Sequence, residues 1–343
     1  MLKRIWKPRQ RLAAQVAATG LLASSMALVP FTGSTTPAEA ADATTNVLFG
    51  TPERDLGKDY EKSDDLIVSG TGDSDGFHIV TASEREGYAF REVTSLRRKD
   101  IDAGPWTGYV CTTGSGRYAA AVYMPSLWTN KPGAVYRGAF AAVVRLSDGK
   151  VTEVAQGVQL SYYSPGCGED DRVLFSTSSA TDTDAGDTTV IEADATTGKA
   201  VADRTITGQL THMLPTPQGD YGILNGDLVK LTGRGKATRA QKQAELNGPV
   251  FALTSSGGGN LDLGLVSDQK SVISRWHRGR LSPLGSGKIG KLKLLPRKGG
   301  SLAVGDVAGV DISRAPGLKA QPFTGTIAAV SREGRLVVLR YVG

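Results

Sequence analysis

The chain has 343 residues, 40 of them Lys or Arg and 34 Asp or Glu, with two cysteines and three histidines. That length admits one large domain or two ordinary ones, and so few scattered Cys and His residues speak against a zinc centre. The formal charge of +6 falls to +2 once the first forty residues, with five basic side chains and one acid, are set aside, so basicity makes no case for nucleic acid.

Residues 1–40 carry a targeting pattern. Lys3, Arg4, Lys7, Arg9 and Arg11 form a positive region, Leu12 to Phe31 is apolar and small, and Ala38-Glu39-Ala40 has the form of a cleavage site. The three parts in order predict a secretory signal peptide over 1–40 and a mature chain from Ala41. Gln15 and Pro30 make the same stretch a poor membrane anchor. No later segment approaches membrane-spanning length, so the expected location is extracellular or at the cell wall. Residues 41–64 read as an N-terminal extension.

From residue 65 the chain turns to short β-rich runs. They are DLIVSG at 65–70, FHIVTA at 77–82, YAAAVY at 118–123, RVLFST at 172–177 and TTVIEA at 188–193. YGILN at 221–225, LDLGLV at 261–266, SVISRW at 271–276, TIAAVS at 326–331 and LVVLRYV at 336–342 continue the series. Short strands with frequent turns predict an all-β fold.

The runs also repeat as a unit. A polar turn precedes an apolar run in SDG-FHIV, GSGR-YAAAVY, EDDR-VLFS, PQGD-YGIL, GGGN-LDLGLV and KGGS-LAVG. A hairpin with Gly then Lys or Arg at its turn recurs at Gly149, Gly198, Gly235, Gly279 and Gly334. A period of roughly 40–50 residues predicts a β-propeller over 65–343, of six to seven blades. In that arrangement 65–70 closes the ring against 336–342. A pair of β-sandwiches or a β-solenoid is the rival architecture.

The charge is uneven along the chain. Residues 41–200 hold 15 basic and 24 acidic side chains, residues 201–343 hold 20 and 9. Such a dipole can orient a protein on a charged polymer, and the basic run Lys288, Lys291, Lys293, Arg297 and Lys298 could grip an anionic one. A solvated surface explains the same numbers.

Few residues carry a chemical signature. Cys111 and Cys167 pair most simply with each other in a secreted chain. Each stands just before an apolar run of consecutive repeats, and neither His78, His212 nor His277 is placed to activate a thiolate. Ser115 in Gly114-Ser115-Gly116 leads into a strand, not a helix, so it is a turn residue and not a nucleophile elbow. No catalytic residue is assigned.

Asp182, Asp184 and Asp187 alternate around Gly186 as calcium ligands do, and Asp73 with Asp75 is a shorter version. Both read first as surface turns; no cofactor is expected, with calcium as the alternative. Trp106, Trp128, Tyr162, Tyr163 and Trp276 are the aromatic candidates for a ligand-binding mouth, with packing between blades as the alternative.

GDSDGFHIVTASEREGYAFREVTSL, WTGYVCTTGSGRYAAAVYMPSLWTN and SYYSPGCG, within residues 65–210, resemble the N-terminal head of large secreted actinobacterial proteins. In those proteins a propeller-like head precedes Rhs-type repeats or golvesin-like carbohydrate-binding domains. The resemblance implies a secreted, non-catalytic head with the Cys111–Cys167 pair. The expected function is a monomeric binding or scaffold module for a protein or cell-wall polymer. The alternatives are a propeller-type glycoside hydrolase or lyase, and the head of a larger toxin or wall-associated protein.

Overall fold

A computed structural model describes residue 53, residues 58–306 apart from 88–89, 102–103, 161–164, 182–183, 185, 236, 289–291 and 298–299, and residues 327–330 and 336–339. The expected signal peptide, most of the 41–64 extension and the candidates Tyr162, Tyr163 and Asp182 lie outside these residues.

Four sheets are consecutive antiparallel meanders of four strands. Sheet II holds β4 (Trp106–Thr112), β5 (Tyr118–Pro125), β6 (Ala139–Arg145) and β7 (Lys150–Val158). Sheet III holds β8 (Gly166–Cys167), β9 (Arg172–Ser178), β10 (Asp187–Asp194) and β11 (Ala200–Thr207). Sheet IV holds β12 (Leu210–Thr216), β13 (Gly219–Leu224), β14 (Asp227–Thr232) and β15 (Arg239–Glu245). Sheet V holds β16 (Val250–Gly257), β17 (Asn260–Ser267), β18 (Lys270–His277) and β19 (Arg280–Lys288).

Sheet I is assembled from both ends of the described chain. β1 (Leu66–Gly72), β2 (Phe77–Ser83) and β3 (Phe90–Leu96) follow β20 (Leu292–Arg297), with β21 (Gly300–Asp306), β22 (Ile327–Val330) and β23 (Leu336–Leu339) continuing beyond it. The junction is the pairing of Ile67 with Arg297.

The first strands β20, β4, β8, β12 and β16 lie against one another in sequence, and β16 returns to β20. Five sheets around a closed ring of first strands make a five-bladed β-propeller. Six to seven blades were expected. The difference lies in β1, which takes the second position of its blade, between β20 and β2, and does not open a blade of its own. The ring therefore closes at 292–297, not at 336–342.

The strand sequences explain the packing. β5 is buried on both faces, so it is apolar throughout and small. Ala119, Ala121 and Tyr123 face the core shared with sheet I, while Ala120, Val122 and Met124 face the core shared with sheet III. β9 divides likewise, with Val173 and Phe175 toward sheet II and Leu174 toward sheet IV. Each side chain of Val, Leu or Phe size so buried contributes about 1.5–3 kcal/mol.

The outer hairpins of sheets II, III and IV dock each on the sheet before. A Cβ on Gly149 would fall 2.5 Å from the Val93 carbonyl oxygen of β3, and one on Gly198 would fall 2.4 Å from Thr152 Cγ2 of β7. Both glycines have φ near +70° (68° and 70°), so they serve the turn and the contact together. Gly235 forms a bridge to Arg204 of β11 in the same manner.

Near the ring the backbones meet without side chains between them. A Cβ on Gly166 of β8 would stand 1.6 Å from the Met213 carbonyl oxygen of β12. Gly166→Ala is therefore expected to lower stability by about 1–3 kcal/mol through overpacking. A shift in the urea midpoint checks this, and an unchanged midpoint would show that sheets III and IV part easily.

Candidate binding face

In a four-stranded meander the connection from first to second strand and that from third to fourth leave the same end. In sheets II–V these are the inner turns 113–117, 168–171, 217–218 and 258–259, and the outer turns 146–149, 195–199, 233–238 and 278–279. Together they form one polar face.

The 168–171 turn, Gly168-Glu169-Asp170-Asp171, organises this face. Gly168 accepts a hydrogen bond from Gly114 N at 2.8 Å, across the junction of sheets II and III. Asp171 Oδ1 accepts from Thr113 Oγ1 at 2.8 Å and Ser115 Oγ at 2.5 Å, and its Oδ2 accepts from Arg117 Nη2 at 2.6 Å. Glu169 reaches past sheet IV to accept from Ser255 Oγ of sheet V. Asp170 Oδ2 binds Arg172 Nε at 2.9 Å, and Arg172 Nη2 donates to the Thr216 carbonyl of sheet IV at 2.8 Å. One acidic turn thus ties its own sheet to three others.

Behind it lies a buried ion network between sheets III and IV. Asp220 pairs with Arg204 and, at 3.4 Å, with Arg172; Glu192 lies 3.2 Å from Arg204 and 3.6 Å from Arg172. Asp220 and Arg204 are almost fully enclosed. Charges so placed need each other, because an unpaired one would be left without solvation.

Cys111 and Cys167 form a disulfide with Cα atoms 5.8 Å apart. It joins β4 to β8 immediately beside the 168–171 turn. Ser115 is a turn residue that holds Asp171, and its other hydrogen-bond partners among the described residues are Thr113 and Arg117.

The aromatic candidates lie elsewhere. Trp106 is buried against Tyr123, ring centroids 5.9 Å apart, and Trp276 is buried against Tyr221 at 5.6 Å. Both are core side chains between sheets and not a ligand mouth, because each fills the gap between its own sheet and the preceding one. Trp128 packs on Phe140 with Lys131 over its ring, in a connection that includes the short helix α1 (Ala134–Arg137).

The acidic pairs are turns. Asp184 Oδ1 accepts from Gly186 N at 3.1 Å, and Asp187 opens β10 with its N donating to Ser179 Oγ at 2.7 Å. No group of three or more metal-binding side chains occurs among the described residues. Asp73 caps its own turn, accepting from Asp75 N at 2.7 Å. Its carbonyl accepts from Trp106 N at 2.7 Å, so this turn lies at the start of β4, the opposite end from 113–117.

The sequence placed no histidine beside a cysteine, and it did not show what surrounds each ring. His78 sits between Asp73, 2.9 Å from Nε2, and Glu92, 3.1 Å from Nδ1. Desolvation opposes its charge, yet the two carboxylates outweigh it and raise its pKa above the ordinary 6.5. His212 on β12 is 5% exposed, and burial holds it down to about 3. The signal that could have found His212 is its place in the apolar run LTHMLP.

No family model and no curated protein matches the chain. Among solved structures it is similar to TolB from Acinetobacter baumannii, with 15% identity over 81% of this chain and a TM-score of 0.49; the chain spans 64% of that TolB. It is also similar to oligogalacturonate lyase from Vibrio parahaemolyticus, with 11% identity, 79% of this chain and 78% of that one covered, and a TM-score of 0.40. For the acylaminoacyl peptidase of Pyrococcus horikoshii the values are 11%, 87%, 52% and 0.38.

Proposed function

We propose that the chain is a secreted, non-catalytic propeller whose turn face binds a cell-wall polymer. The observation that carries this reading is the employment of the face's acids. Glu169, Asp170, Asp171 and Asp220 each hold a neighbouring sheet or side chain through the bonds given above. A general acid or base must be free to meet its substrate, whereas these carboxylates fix the surface. What remains is a rigid platform for display.

The N-terminal targeting pattern and the disulfide support a place outside the cell. The resemblance to heads of large secreted actinobacterial proteins supports the same reading, with this chain as such a head.

The test is co-sedimentation of the purified chain with cell-wall material from the source organism. Saturable pelleting, without release of reducing ends or unsaturated sugars, is expected. A chain that stays in the supernatant at low salt sinks the binding reading. Release of sugar products turns the assignment to the hydrolase or lyase.

A further inference from the structure

β1 is paired unevenly. Along one edge it forms seven residue pairs with β2, from Leu66–Ser83 to Gly72–Phe77. Along the other it meets β20 at Ile67–Arg297 alone. Other second strands are held on both edges. β5 has seven pairs to β4 and six to β6, and β17 has six to β16 and seven to β18. Even β8, two residues long, pairs with β9 through both. β20 is long enough to do the same for β1, but its ladder goes to β21, through six pairs.

Val68–Gly72 therefore present an edge with no ladder partner among the described residues. Ile67 and Val68 are 0% exposed, so water does not stand in for the missing strand there, and a buried backbone group left unpaired is costly. β1, Leu-Ile-Val-Ser-Gly-Thr-Gly, also carries no charged residue. The outermost strands β3, β7, β11 and β15 all do. Charge is a common protection of exposed edges, and β1 has instead the composition of a strand paired on both sides.

The chain holds one run that fits this edge. Residues 44–50, outside the described residues, are Thr-Thr-Asn-Val-Leu-Phe-Gly. β-branched and aromatic residues favour a strand, consecutive Val47, Leu48 and Phe49 favour one buried on both faces, and Gly50 with Pro52 ends the run. Where the described chain resumes, it lies at the end of the hairpin where β1 begins. Ser63 Oγ donates to Glu84 Oε2 at 2.6 Å, and Glu84 N donates to the Asp65 carbonyl at 3.1 Å. The fifteen intervening residues, 51–65, reach about 50 Å when extended, and a neighbouring strand lies only about 4.8 Å away. That length lets the run turn back beside β1. The edge of β3 is the poorer choice, because it is charged and the Gly149 turn already rests on its Val93 carbonyl.

We propose that residues 44–50 add to β1 as an antiparallel strand, pairing with Val68–Gly72 on the side of β20. A strand apolar on both faces needs a sheet on each side of it. That condition is met only after β20 has closed the ring, so the segment docks last.

Hydrogen exchange on the chain from Ala41 to Gly343 tests this. Amides of residues 45–49 are expected to exchange about 100-fold or more slowly than in a free peptide 41–52. Val47→Pro removes a ladder donor and is expected to speed exchange within Val68–Gly72 about tenfold or more, with β5 and β9 unchanged. In a chain that starts at Glu53, added peptide 41–52 restores slow exchange at Val68–Gly72. Free-peptide rates at 45–49 overturn the proposal. So does protection of Val68–Gly72 that neither Val47→Pro nor the shortened chain disturbs, since another element then covers the edge. Protection that fades on dilution also overturns it, by placing the strand in a second copy.

Discussion

Replacing Cys111 and Cys167 together by alanine is expected to cost about 2–5 kcal/mol of stability. The bond spans a sequence separation of 56 residues. Loop-closure entropy in the unfolded chain alone amounts to about 4 kcal/mol for a loop of that length. Position adds to length. The bond joins sheets II and III beside the 168–171 turn, whose side chains reach sheets II and V and, through Arg172, sheet IV. Losing the bond loosens the turn that gathers those sheets. The measurement is the denaturant midpoint of the double variant against the oxidised parent, with the reduced parent as a second comparison. A variant that unfolds at the parental midpoint would mean that hydrogen bonds alone hold the face.

Acid is expected to remove about 2–3 kcal/mol between pH 7 and about pH 4.5 through His212 alone. The ring is enclosed, its Nδ1 3.0 Å from Thr211 Oγ1, and burial holds its pKa down to about 3 against an ordinary 6.5. Its neutral form is therefore native. Below about pH 6.5 the unfolded chain takes up a proton that the folded chain refuses, so stability is full above that pH and falls as pH drops toward 3. His78 works in the opposite sense. Its raised pKa gives stability that is full below about pH 6.5 and lost as pH rises through the folded value. The check is His212→Asn, because position 212 has φ of 49° and Asn tolerates that region. Unfolding free energy at the two pH values should lose most of its difference in this variant. A difference as large as the parent's would place the acid sensitivity elsewhere.

The second strands were the most legible part of the chain. β5 and β9 are buried on both faces, so they carry consecutive apolar residues, Ala119 to Met124 and Val173 to Phe175, whereas β17 alternates Leu261, Leu263 and Leu265 with Asp262 and Gly264. The outer hairpins were legible through their turn glycines, whose positive φ leaves few alternatives. First strands were not. β8 spans Gly166 and Cys167 alone, and β4 mixes Trp106 with Gly108 and Thr107, because backbone contact at the ring selects small residues over a pattern. β15, Arg-Ala-Gln-Lys-Gln-Ala-Glu, is an outer strand with solvent on its edge, so it has no apolar signature. The blade count was misread for a related reason: Asp73–Gly76 has the same composition as the inner turns but joins second and third strands. Of the turn face, the Cys pair was visible in the sequence. The contacts of Asp171 and Glu169 were not, since they depend on which sheets the ring brings together.

The pairing of Ile67 with Arg297 gives the molecule a waiting time. The two residues lie roughly 230 positions apart, and synthesis at about 5–20 residues per second separates their appearance by roughly 10–50 s. During that interval β1, β2 and β3 exist as a three-stranded fragment with an open edge where β20 will lie. Sheets II, III and IV can each grip their predecessor through the outer hairpin as soon as they emerge, but the first sheet stays incomplete until the last strands arrive. An open strand edge of that duration is a template for the wrong partner. The blade that closes the ring is thereby the one most exposed to chaperones, proteases and neighbouring copies before the ring exists.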